Sequence, residues 1–397
     1  MRQKSNFPQF KVQTLTSGPK HHFLGYYGMS PWNKSQRYMI CLESDFHDHL
    51  PTVDEPAAVG LVYVETGCFK KVSETRAWNL QQGAMLHWNP LNPETEVVFN
   101  DRKGEELVSA VVNVETGEKR FLPRPISAVS HHSKFALSLT YGRLTRLRKV
   151  VGYQGTVDPN PDDAYPDNDG VFLIDLETGE TKLIVSIAEV YRLAIKNYSA
   201  LEGRHMWFNH TVLNKSDKRL LFLARFRNQE DRLDTAMYTV NIDGSELRQA
   251  TPWGGMVSHF DWRNDCEIIS TFMLGDDKTK THYLFTDGKD NYQKVGEGFI
   301  VGDGHCTFSP DQNWLASDGS AAFGIKGKYK VNSLEIYNVA DNYGVLLAMF
   351  NMRENKNLSG DLRCDLHPRW NRTSDAICVD ALDTTDWTRQ LHIVHLK

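Results

Sequence analysis

A strand-like run, a tight polar turn and a second strand-like run recur down this chain. The copies are VYVETGCFKKV (62–72), VNVETGEKRFL (112–122) and LIDLETGETKLI (173–184). Weaker ones are TVNIDGSELRQA (239–250), LFTDGKDNYQKV (284–295) and IYNVADNYGVLL (336–347). Glycine in such turns supplies the positive φ that a hairpin requires. Each copy follows a pair of apolar strands, so each unit reads as a four-stranded antiparallel meander. The last unit ends at QLHIVHLK without a partner strand, and FKVQTLT (10–16) is an orphan strand suited to complete it. Pairing the two ends would remove both exposed sheet edges. The expected fold is therefore all-β: a seven-bladed β-propeller closed by the N-terminal strand on the C-terminal blade. It forms a single domain over 1–397, with one helical insertion at about 185–203, where VSIAEVYRLAIKNYSALEG spaces its apolar residues as a helix does.

Composition narrows the partners. The net charge of −5 and the absence of a basic stripe speak against nucleic acid. No run approaches the roughly 18 apolar residues of a membrane span. The opening MRQKSNFPQFK has no apolar core of a signal peptide, so a cytoplasmic location is expected as numbered, and a periplasmic or secreted one if a leader precedes it. Six scattered cysteines without CxxC spacing read as free thiols. A monomer is expected.

Four histidines keep a common register against this repeat. His210 stands three residues before Leu213, His259 before Trp262, His305 before Phe308 and His367 before Trp370. All four precede or open the first strand of a blade, which brings them to one face near the central axis. The ends of the second strands reach the same face, bringing Asn100, Arg102, Arg143 and Arg225. The long connection at about 142–169 adds Tyr153, and the segment PKHHFLGYYGMSPW (19–32) adds His22, Tyr26 and Tyr27. Gln82 comes from the link into the second blade. Imidazoles, guanidiniums, amides and aromatics together suit a polar, anionic carbohydrate.

His210, His259, His305 and His367 could hold a divalent metal such as Mn, Zn or Ca. The same register also fits histidines that only bridge blades. Asn209, Asp303 and Asp365 are adjacent candidates to orient them. Arg143 and Arg225 could pair with a substrate carboxylate, whereas Arg146 and Arg148 read as solvated loop charges or inter-blade salt bridges. His22 could act as a general base. Tyr26, Tyr27 and Tyr153 could stack on sugar, and Gln82, Asn100 and Arg102 could bind its hydroxyl or acid groups. His131 and His132 fall in a turn on the opposite face.

The runs HHFLGYYGMSPWNKSQRY, ETRAWNLQQGAMLHW, NDRKG, LPRPISAVS, GMVSHFDWRND, DGHCTFSPD and RCDLHPRWNR resemble an oligogalacturonate-lyase-like family of seven-bladed propellers. That family is related to propeller polysaccharide lyases and to enzymes cleaving rhamnose–glucuronate linkages. The resemblance implies a uronate-containing oligo- or polysaccharide cut by β-elimination. Such chemistry needs a positive group on the C5 carboxylate, a base for the C5 proton and an acid for the leaving oxygen. Arg143, Arg225 or a histidine-held metal would serve the first, and His22, His210 or a tyrosine the others. Two departures stand out: SLTYGRLTRL (138–147) keeps Arg143 in an altered context, and Ala224-Arg225-Phe226 replaces a usual His-Arg-Trp. Alternative readings are a glycoside hydrolase at a rhamnose–uronate type linkage, using one histidine or carboxylates such as Asp45 and Asp48, and a non-catalytic propeller binding glycan or protein.

Overall fold

Seven four-stranded antiparallel sheets make up the computed structural model, which describes residues 10–300, 302–319, 330–352 and 360–397. Six blades use consecutive strands. Their first strands are β2 (His21–Phe23), β6 (His87–Trp88), β10 (Ala128–Val129), β14 (Trp207–Leu213), β18 (Phe260–Trp262) and β22 (Cys306–Phe308). The seventh blade has the order β1-β28-β27-β26, with β26 at Arg369–Trp370 and β27 at Ala376–Leu382. Its outer strand is β1 (Lys11–Thr14), paired antiparallel to β28 (Arg389–His395) from Lys11 opposite His395 to Thr14 opposite His392. The fold is the seven-bladed β-propeller expected from the repeat, closed by its own N-terminal strand.

Burial explains why the sequence reads as it does. The second strand of the fourth blade, β15 (Arg219–Arg227), is buried at every position but its last, and β27 at every position. These strands are covered on both sides by neighbouring blades, so their apolar residues run on without alternation. The outermost strands β5 (Phe69–Thr75) and β9 (Lys119–Leu122) are largely exposed and carry lysines. The ETG hairpins form as expected. In VNVETGE, Asn113 Oδ1 accepts from the Glu115 and Thr116 amides at 3.0 Å each, and Gly117 sits at φ +76°.

Among the described residues, two short α-helices interrupt the strands. One, α2 (Ile187–Ala194), lies in the expected insertion and starts with a reciprocal capping box between Ser186 and Glu189. The other, α1 (Tyr141–Leu147), was not expected, since the sequence there reads as the start of a long loop.

The segment after β2 crosses the axis instead of staying in its blade. Arg369 and Asp380 form a fully buried bidentate pair at 2.9 and 2.7 Å. The same carboxylate accepts from the Leu24 and Gly25 amides at 3.2 and 2.9 Å. Gly25 has φ +90°, and a Cβ there would stand 2.4 Å from the Gly83 amide nitrogen. Any larger residue would push the following Tyr26 and Tyr27 away from the axis.

Candidate active site

The four registered histidines line one cavity of about 310 Å³ at the end of the channel where first strands begin. His259 and His305 immediately precede β18 and β22. His367 precedes β26, and His210 sits at an irregularity in β14 between Asn209 and Thr211. His210 and His367 adopt positive φ, +55° and +49°. This conformation is uncommon for residues other than glycine and turns each imidazole out of its strand's ladder. Tyr26, Tyr27, Gln82 and Arg225 line the same cavity, together with Arg148, Lys280, Asp303 and Arg363.

Three of the rings form a chain. His259 and His305 have centroids 4.0 Å apart, and His305 and His367 4.2 Å. Their orientations are set from behind by carboxylates. Asp318 Oδ2 lies 2.9 Å from His305 Nδ1 and accepts from the His367 amide at 3.0 Å, while Oδ1 accepts from the His305 amide at 2.6 Å. Asp303 Oδ1 lies 2.9 Å from His259 Nδ1. A carboxylate can only accept here, so both Nδ1 atoms carry hydrogen in the neutral rings and both Nε2 atoms keep their lone pairs.

Protonation differs along the row. Burial, reinforced by His305, lowers His259 despite Asp303. Burial also holds His367 well below the usual imidazole range. At His305 burial opposes protonation, but Asp318 and Asp365 together outweigh it and raise the ring. His210 is held well down by burial and by the Arg225 guanidinium. Its Nδ1 meets Gln82 Nε2 at 2.9 Å and the Tyr26 hydroxyl at 2.8 Å. The amide nitrogen can only donate, so Nδ1 is an acceptor and Nε2 carries the proton.

Arg225 lies near the end of the buried strand β15. Burial and then Arg148 push its guanidinium down to about 9, which leaves it charged at neutral pH. Nη1 donates to Asn209 Oδ1 at 2.7 Å, and the buried Nε has no hydrogen-bond partner among the described residues. An unsatisfied buried donor is costly, and an anionic ligand would relieve it.

A candidate metal position is formed by His305, Asp365 and His367, each of which offers one ligand atom within 4.8 Å of the others. Asp365 Oδ2 is shielded and takes no aligned hydrogen bond among the described residues, although Arg363 Nε stands 2.7 Å away. Two lone-pair imidazoles and a carboxylate oxygen fit a divalent ion of the Mn or Zn type. His210 and His259, also expected as ligands, stay outside this group: the first is engaged by Gln82 and Tyr26, and the second stands beyond His305. Asp365, expected only to support the histidines, is a member.

Other expected site residues lie elsewhere. His22 packs between the first and seventh blades, with Nδ1 3.0 Å from Gln390 Oε1 and Nε2 3.2 Å from Glu43. Arg143 is 1% exposed and donates to the carbonyls of Met206, Asn160, Asp163 and Ala164, holding the long connection in place. Asn100 donates to the Ile126 carbonyl and the Tyr153 hydroxyl, so both brace that connection from below. Arg102 is tied to the carbonyls of Arg76, Glu105 and Gln154 and borders a separate outer groove. Asp45 and Asp48 are exposed and pair with Lys20 and His49. Arg146 forms the structural ion pair expected of it, with Asp158, but its neighbour Arg148 faces the cavity. Lys280, paired with Asp303, and Arg363 also escaped the sequence reading, since nothing in their spacing marks them.

No family model matches the chain, and no curated protein matches it. Solved structures do match. One is an oligogalacturonate lyase in complex with manganese, with a TM-score of 0.68 at 14% identity, covering 100% of this chain and 95% of that one. Another is an oligogalacturonate lyase from Vibrio parahaemolyticus, with a TM-score of 0.66 at 16% identity, covering 98% and 94%. This chain shares the seven-bladed propeller fold of these two structures. At such identities the likeness extends to the arrangement of blades over essentially the whole length of both chains. On that fold the cavity described above occupies one mouth of the channel.

Proposed function

We propose that the protein is a lyase that cleaves an oligo- or polysaccharide next to a uronic acid by β-elimination. The observation carrying this reading is the convergence, in one cavity, of an unsatisfied buried guanidinium, an Asp-paired imidazole and a His/Asp/His group. Arg225, with Arg148 beside it, binds the C5 carboxylate and draws charge away from C5. A divalent ion held by His305, Asp365 and His367 would further neutralise that carboxylate and so acidify the C5 proton. The matched fold of a manganese complex supports such an ion.

His259 is the base. Asp303 fixes its tautomer and leaves Nε2 free to take the C5 proton. The imidazolium so formed is stabilised by Asp303 and becomes the proton donor for the departing glycosidic oxygen. His210 presents Nε2–H to a sugar oxygen, held in that tautomer by Gln82 and Tyr26. These roles replace the His22 and Arg143 expected from the sequence.

The test is to offer oligogalacturonides and rhamnose–glucuronate oligosaccharides and follow the ultraviolet absorbance of the unsaturated product. Arg225→Gln should abolish the signal while the fold survives. Sugar released without that chromophore would instead indicate a hydrolase, and saturable binding without turnover a glycan-binding propeller.

A further inference from the structure

The channel has a second mouth. On the face opposite the histidine cavity lies another cavity of about 410 Å³, walled by Trp88, Val129, Val212 and Leu213 from the first strands of three blades. Tyr26, Tyr27 and Phe260 line both cavities, so their rings form a septum across the channel. The septum is braced: the Tyr27 hydroxyl donates to the Phe260 carbonyl at 3.3 Å and accepts from its amide at 3.2 Å.

The polar groups in this second cavity are unevenly matched. His87 Nε2 and Ser30 Oγ are shielded from solvent and make no hydrogen bond among the described residues. Burial pushes the His87 imidazole down to about 3, so it offers a neutral donor and acceptor. Arg372 donates through Nε and Nη2 to the carbonyls of Trp32 and Asn33, which leaves Nη1 for another partner. The Lys34 side chain is exposed and has no ion pair among the described residues. The one carboxylate in the wall, Asp261, is already engaged by Thr307 Oγ1 at 3.1 Å, the Phe308 amide at 2.7 Å and Lys215 at 3.8 Å. What remains is cationic and hydrogen-bonding over an aromatic and aliphatic wall.

We propose that this mouth is a binding site for a small organic carboxylate with a ring-shaped apolar body. Lys34 and Arg372 take the carboxylate, His87 and Ser30 a second polar atom, and Trp88 with the tyrosine septum the ring. The volume suits one such molecule, since small-ligand cavities are typically about 300–1,000 Å³. Its occupant would press on the reverse side of Tyr26, whose hydroxyl holds His210 in the other cavity.

The probe is benzoate, with cyclohexanecarboxylate as a second ring acid and benzyl alcohol as the neutral control, followed by saturation-transfer NMR on the full chain. Saturable binding of both acids is expected, weakened about tenfold in Lys34→Gln, a loss of roughly 1.4 kcal/mol. His87→Phe should weaken it as well, and Lys280→Gln in the opposite cavity should leave it unchanged. Arg372 also secures the Trp32 and Asn33 carbonyls, so the exposed Lys34 carries the decision if Arg372→Gln fails to fold. The proposal is overturned by acids that do not bind, by affinity unchanged in Lys34→Gln, by loss of binding in Lys280→Gln, or by benzyl alcohol binding as tightly as benzoate.

Discussion

His259 and His305 are neighbours of the same type in equivalent positions, yet their backing carboxylates and burial give them opposite tendencies. His259 is lowered from the usual imidazole value, so it is neutral and ready as a base at pH 7. Activity should therefore hold as pH falls to about 6.5 and be lost only below it, which a kcat–pH profile would measure. Asp303→Asn should lower kcat by roughly 10–100-fold with KM little changed, because Asn still occupies the place but no longer stabilises the imidazolium. Rescue by Asp303→Glu would separate that positioning role from simple packing. At His305 the folded-state value is raised, so its contribution to stability is complete below about 6.5 and fades as pH rises through the higher folded value. Asp318 is lowered, chiefly by His305 acting against burial, and its contribution is present above the ordinary aspartate range and lost as pH falls through the lower folded value.

At the scale of strands and loops, the carrier of the site is the crossing segment from β2 to the tyrosines. Arg369 and Asp380 anchor it with side chains 0% and 2% exposed. Removing one partner leaves a buried charge unpaired, so Arg369→Met should cost about 3–5 kcal/mol in urea unfolding. The capping box of α2 is a smaller matter, and Ser186→Ala should cost about 1 kcal/mol by the same measurement. This scale also shows what the sequence could and could not say. The histidine register is periodic, so it identified His210, His259, His305 and His367 as neighbours, and the strand-end position of Arg225 identified that residue too. Strand direction fixes which face a residue reaches but not its distance from the axis. Asn100, Arg102 and Arg143 share the face with Arg225, yet they lie outward, supporting or bordering the long connection. That connection folds back through α1, spends Arg143 on its own backbone carbonyls and buries Tyr153 against Tyr141 and Asn100. His22 fails for a related reason: it opens a blade, but its ring lies between Glu43 of its own blade and Gln390 across the seam where the ring closes. Lys280 and Arg148 sit in connections whose path no local pattern specifies.

For the molecule as a whole, the charge distribution opposes the net charge. The chain carries −5 overall, while Arg148, Arg225, Lys280 and Arg363 all face one cavity. An anionic substrate should thus show a KM that rises with salt, since added ions screen the attraction across the open cavity. A KM independent of salt between low and physiological ionic strength would argue against an acidic substrate. The repeat made this architecture readable from the sequence, including its closure, because each blade states the same pattern again.

That closure also sets a schedule. Gln13 on β1 meets His395 on β28 across 382 residues of chain. During synthesis β1 emerges long before its partner, so the ring stays open until β28 has followed. Contacts of such long sequence separation form slowly. The early blades must wait with an unpaired edge, and the nascent protein is exposed to misassociation until β28 is available to close the ring.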